Sequence, residues 1–167
     1  AVESGTVADL IHAIEPKPGE SIFIPSGRLH AIGAGLLIHE IQQNSDTTYR
    51  VFDWNRLGLD GKPRDLHVEQ SLASIDFIDF EPSMDSRRGN VLASCPHFHT
   101  ELLNLSSDAS IRNPDTERFS ILSVVDGQIK SAGGREFSKG QILLLPKNAA
   151  PLTATESSSV LRITLPN

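Results

Sequence analysis

The chain has 167 residues, enough for one domain or two small ones with a real core. Hydrophobic content of 38%, charged content of 22% and a net charge of −6 describe an ordinary globular protein and argue against nucleic acid as the main partner. A single cysteine, Cys95, excludes an intrachain disulfide and fits a reducing cytoplasm; no apolar run approaches membrane-spanning length. An anionic small molecule stays open as a ligand, because it responds to local Arg and Lys and not to net charge. The first residue is Ala, with no charged and apolar leader behind it, which reads as a processed or engineered fragment.

In chain order, residues 3–12 read as a short helix with Leu10 and Ile11 near its end. Lys17-Pro18-Gly19-Glu20 is a turn, with Pro fixing one φ and Gly supplying a positive one. Ser21 to Ile24 continues as a strand, and Pro25, which cannot donate to a ladder, ends it. Gly27 then lets the chain turn back and aim His30 across a neighbouring strand. Residues 36–42 read as a strand buried on both faces at its start, and 49–54 as another. A loop with Asp60-Gly61 as its turn follows, then a helix through Ile75 with Asp65 as its N-cap. The polar stretch 81–89 is the best linker. This divides the chain into 1–80, the linker and 90–167. Beyond it only strands are expected, at 90–105, 118–125, 128–131, 141–145, 151–155 and 160–165. Asp126-Gly127 is a two-residue hairpin signal, and the set points to a sandwich or small barrel.

An internal repeat is visible. Gly19, Pro25, Gly27 and His30 recur, 121 positions later, as Gly140, Pro146, Asn148 and Pro151. Asn tolerates a left-handed backbone better than most residues, so the second copy keeps the turn and loses the imidazole.

The spacing from Gly19 to His30 resembles the second signature motif of the cupin barrels, whose His is a metal ligand. The continuation, HAIGAGLLIHEIQQNSDTTYRVFDW followed by DGKPRDLHVEQSL, is similar to the catalytic half of the type I phosphomannose isomerases, over about residues 5–77. The resemblance implies an all-β cupin (jelly-roll) fold: the rear part of a catalytic barrel, then a degenerate second cupin domain. It implies interconversion of mannose 6-phosphate and fructose 6-phosphate, with zinc as cofactor and His30 as one of its ligands. Catalytic zinc normally needs three protein ligands and an open position. The family's other ligands, a Gln and a His two residues apart and a Glu, lie on earlier strands that the eighteen residues before Gly19 do not supply. The chain alone is therefore expected to be inactive, with the missing N-terminal part of the same enzyme as a partner. Open strand edges also invite a homo-oligomer.

By the same resemblance Arg50 serves catalysis or substrate charge, and Asp46 is an acid/base or orienting group. Read from the residues alone, the two are a solvated loop pair. Isomerisation through an enediolate requires stabilised oxyanion charge, which a guanidinium supplies. Glu40 and Gln42 share a strand face by period-two alternation and are expected to hold ligands or substrate hydroxyls. His97 and His99 also share a face with Glu101, but a first cupin motif places its Glu four or five residues on, so no second metal site is read there. His12 and His67 carry no spacing signal. The competing expectation is a non-catalytic cupin module for sugar binding or assembly.

Overall fold

The computed structural model describes residues 1–54 and 56–166. The chain forms two units, Ala1–Met84 and Asp85–Asn167.

The second unit is a two-sheet sandwich. Its strands are β1 (Val91–Ser94), β2 (His99–Leu105), β3 (Ser110–Ile111), β4 (Ser120–Asp126), β5 (Gln128–Lys130), β6 (Glu136–Ser138), β7 (Ile142–Leu145), β8 (Leu152–Ala154) and β9 (Ser158–Thr164). One sheet runs β1-β2-β9-β4-β7 and the other β3-β8-β5-β6, with every pair antiparallel. Period-two alternation puts Leu122, Val124, Leu145 and Val160 on the inner face of the first sheet, opposite Ile129, Leu152 and Ala154 of the second. These side chains form the core, and Leu122, Ile129, Ala154 and Val160 are fully buried. The architecture is the all-β cupin type expected.

Asp126-Gly127 does not make the expected hairpin. β4 belongs to one sheet and β5 to the other, so Gly127 is a corner where the chain changes layers. The register of β4 on β9 slips between Val124 and Asp126, which bends the strand before the corner. Gln128 N then donates to Ser158 Oγ at 3.0 Å, and β5 pairs with β8 instead of folding back on β4. Gly127 has φ +75°, and a Cβ there would lie 2.5 Å from Ser157 O and 2.8 Å from Ser158 Cα. The sequence signal correctly marks a positive φ; it does not carry the layer to which the next strand belongs.

The first unit departs further from expectation. A 3-10 helix spans Val7–Leu10, and α1 spans Val68–Ser74, with His67 and not Asp65 at its N-cap. Among the described residues no strand forms between residues 19 and 54. Leu37, expected inside a buried strand, is 98% exposed, with Leu36 and Ile38 exposed beside it. The internal repeat gives the physical reason. Glu20 N donates to Lys17 O at 3.1 Å and Gln141 N to Ser138 O at 3.0 Å. Lys17 N donates to the Glu20 carboxylate at 2.7 Å and Ser138 N to the Gln141 amide oxygen at 2.6 Å. Arg28 N donates to Pro25 O, and Ala149 N to Pro146 O, both at 3.2 Å. Gly19, Gly27, Gly140 and Asn148 all have positive φ. The two copies are thus the same turns with the same bonds. Between the turns, Ile142–Leu145 is a strand because β4 lies beside it, while its counterpart, residues 21–24, forms no strand among the described residues. Local sequence sets the turns; a hydrogen-bonded neighbour makes the strand.

Candidate active site

Two of the site residues read from the sequence, His30 and Arg50, lie on segments tied to the two ends of α1. At its C-terminal end, Asp76 N donates to Gly27 O at 2.9 Å. The Arg28 guanidinium grips the Asp79 carboxylate through Nε and Nη2, and Nη1 donates to Phe23 O at 2.7 Å. A Cβ on Gly27 would meet Ser74 O at 3.0 Å, so the turn leaves no room for a side chain there. This fixes the turn from which His30 projects. His30 is exposed, and its Nδ1 lies 2.9 Å from Arg28 O. With Nδ1–H donated to that carbonyl, Nε2 carries the lone pair that a metal takes.

At the other end of α1, His67 N donates to Arg50 O at 2.8 Å, and Arg50 N donates to His67 Nδ1 at 3.2 Å. Arg50 is thus clamped through its backbone on both sides, and Nη1 reaches Asp65 O at 3.3 Å. The Tyr49 ring stands edge-on to His67, with centroids 6.2 Å apart. His67, which carried no signal in the sequence, is the residue that sequence reasoning missed. Only its place 17 residues beyond Arg50, at a helix start, marks it, and that spacing means nothing until the chain folds back.

A cleft of about 510 Å³ opens beside Arg50, walled by Asp60, Lys62, Arg64, Asp65 and His67. Its outer wall is a tight loop that the Asp60-Gly61 pair builds as predicted. Gly61 has φ +75°, Asp60 Oδ1 accepts from Lys62 N at 3.1 Å, and Gly58 N donates to Lys62 O at 2.7 Å. Below it, Asp53 is buried and holds Arg64 through both carboxylate oxygens, and Arg56 through one. The Arg64 hydrogen bond, then that of Arg56, outweighs burial and holds the Asp53 carboxyl far below the usual carboxylate range. Asp53 therefore stays ionised and orients two guanidiniums. The cleft has room for a small molecule; Arg50 and Lys62 line it beside Arg64, which Asp53 holds, and Asp60 and Asp65 share the wall.

Of the residues named from the sequence, only Arg50 lines this cleft. His30, Glu40, Gln42 and Asp46 are exposed on the segments that form no ladder. Glu40 and Gln42 consequently have no strand face to share. Among the described residues no three His, Cys, Asp or Glu side chains converge as a metal set. His30 fits as one zinc ligand; the rest of a ligand set is not in these residues. In the second unit, Glu101 lies within 2.6 Å of Arg162 Nη2, so the carboxylate next to His99 serves an ion pair.

No family model matches the chain. The mannose-6-phosphate isomerase ManA of Bacillus subtilis is 35% identical over 159 residues, covering 87% of this chain and 49% of that protein. The mannose-6-phosphate isomerase of Streptococcus mutans is 36% identical over 154 residues, covering 87% of this chain and 48% of that protein. This chain is a relative of the mannose-6-phosphate isomerases. It spans about half the length of the curated relatives it matches. The crystal structure of the mannose 6-phosphate isomerase from Bacillus subtilis superposes with a TM-score of 0.59 at 25% identity, covering 73% of this chain and 41% of that one. No helix among the described residues is long and apolar enough to cross a membrane.

Proposed function

We propose that this chain supplies part of the active site of a zinc-dependent isomerase that interconverts mannose 6-phosphate and fructose 6-phosphate in the cytoplasm. The observation that carries this is Arg50, clamped by His67 at a cleft with Lys62 and Arg64 beside it. A fixed guanidinium neutralises the oxyanion that develops as a proton moves between C1 and C2, at no cost of reorganisation. The neighbouring cations suit an anionic sugar. Asp46 orients or carries the proton, and Glu40 and Gln42 hold ligands or substrate hydroxyls once their segment has a neighbour. His30 is one metal ligand; bound zinc would polarise the sugar carbonyl. No converged set among the described residues supplies the remaining ligands, which are expected from an upstream part of the same enzyme.

A second reading is a non-catalytic cupin module for sugar binding or assembly. It is favoured by the exposure of His30, Glu40, Gln42 and Asp46 and by the lack of a converged ligand set among the described residues. One comparison separates the two. In a protein where an upstream half completes the barrel, His30→Ala should lose zinc and turnover together. Arg50→Ala should keep zinc and lose about a hundredfold in kcat, the size expected for one oxyanion donor. Unchanged turnover in both variants would leave the non-catalytic module standing.

A further inference from the structure

We propose that His67 is a second oxyanion donor of the isomerase site, a neutral imidazole that gives its Nε2 hydrogen to the enediolate beside Arg50. This rests on the isomerase reading and adds a residue to it. The deciding observation is the direction of one hydrogen bond. Arg50 N can only donate, and it donates to His67 Nδ1 at 3.2 Å. Nδ1 must therefore carry a lone pair, which makes the imidazole neutral and puts its hydrogen on Nε2. His67 N donates back to Arg50 O at 2.8 Å, and the Tyr49 ring stands edge-on to the imidazole, so backbone and ring are both held.

His67 lines the same cleft as Arg50. With Nδ1 taken, Nε2–H is the polar group the ring can offer there, and among the described residues no hydrogen bond takes it. Two carboxylates share the wall and neither accepts from it. Asp60 Oδ1 accepts from Lys62 N at 3.1 Å, and Asp65 meets Arg50 through its backbone O at 3.3 Å. His30 makes the contrast. Its Nδ1 lies against the Arg28 carbonyl, an acceptor, so its Nε2 keeps a lone pair. The backbone thus sets the two imidazoles in opposite tautomers: His30 presents a lone pair to a metal, His67 a hydrogen to an oxygen. The chemistry asks for such a donor. An enediolate shares its charge between oxygens on C1 and C2, and Arg50 can neutralise one of them. A cation at the other would repel the guanidinium beside it, whereas a neutral N–H adds a directed hydrogen bond without that cost.

Two measurements test this. On the chain itself, proton–nitrogen correlation NMR of the imidazoles at mildly alkaline pH should show His67 as the Nε2–H tautomer. The Nδ1–H tautomer, or a mixture of the two, overturns the assignment and leaves the isomerase reading untouched. In a protein where an upstream half completes the barrel, His67→Ala should lower kcat roughly tenfold with KM less changed, the low end for a hydrogen bond to a charged group. His67→Gln, whose amide reaches as far as Nε2, should recover more of kcat than His67→Asn, which reaches only as far as Nδ1 and restores the clamp alone. A merely structural histidine gives the opposite order, so recovery by His67→Asn that equals or exceeds that by His67→Gln overturns the proposal. So does normal turnover in His67→Ala while Arg50→Ala is impaired. Turnover that neither Arg50→Ala nor His67→Ala changes removes the isomerase reading itself, and this proposal with it.

Discussion

At Gly127 two requirements coincide, a left-handed backbone and the absence of a side chain. The corner between the two sheets presses its Cα against the Ser157–Ser158 backbone, so relaxing φ alone would not admit a Cβ. Gly127→Ala is expected to destabilise the second unit by about 2 kcal/mol or more, read from urea midpoints. Gly134→Ala is the comparison: φ there is +83° but nothing lies near the new methyl, so only backbone strain is felt. Asp53 makes a different residue-scale prediction. Its carboxyl is held well below its unfolded range of about 4, first by Arg64 and then by Arg56. A depressed carboxylate contributes its stability fully above the unfolded pKa and loses it as pH falls through the window below about 4. The first unit should therefore weaken in acid below that value. Arg64→Ala should raise the Asp53 pKa more than Arg56→Ala does, followed by carboxyl-carbon NMR titration. An equal shift in both would show that the bidentate Arg64 contact is not the dominant one.

At the scale of the element, α1 is seven residues long, about 10 Å, and both site segments hang on it. Its position in the sequence was legible, from Val68, Leu72 and the turn residues before it. Its purpose was not, because the clamps on Arg50 and the His30 turn are contacts between residues 17 and 51 positions apart. The candidate Arg50 was legible only through family resemblance, since Asp46 and Arg50 alone read as a solvated pair. The turns of the repeat were legible down to their hydrogen bonds, because Gly, Pro and Asn act locally. The strands between them were not, because a strand is a relation between two segments. If α1 is a brace, His67→Ala removes the acceptor for Arg50 N and should lower kcat of the completed enzyme by roughly tenfold with KM less changed. His67→Asn, which can still accept a hydrogen bond, should recover part of the loss. Equal loss of kcat and thermal stability in both variants would make the contact merely structural.

Across the whole molecule the two units differ in how they are held. The core of eight buried apolar residues belongs entirely to the second unit, so that unit should fold alone as residues 85–167. Leu122→Ala there is expected to cost about 3 kcal/mol. The first unit has few buried apolar side chains among those described, Val7 and Val51, and long exposed apolar stretches around Leu37 and Ile78. Segments with unpaired backbone groups and apolar side chains take a neighbour when one is offered. The expected neighbours are an upstream half of the same barrel or a second copy of this chain. In the isolated chain, amides from 31 to 46 should exchange within the early time points while the β2, β4 and β9 amides stay protected. One exposed imidazole binds zinc weakly, because affinity comes from several oriented ligands together. The isolated chain should thus hold no stoichiometric zinc and show no isomerase turnover. Adding the upstream half of a relative as a separate polypeptide should protect Ser21 to Ile24 and raise zinc content towards one per complex. Activity should then depend on both His30 and Arg50. Hydrogen exchange, metal content and coupled mannose 6-phosphate turnover on the same samples decide it: one tightly bound zinc and robust turnover in the isolated chain would refute the argument.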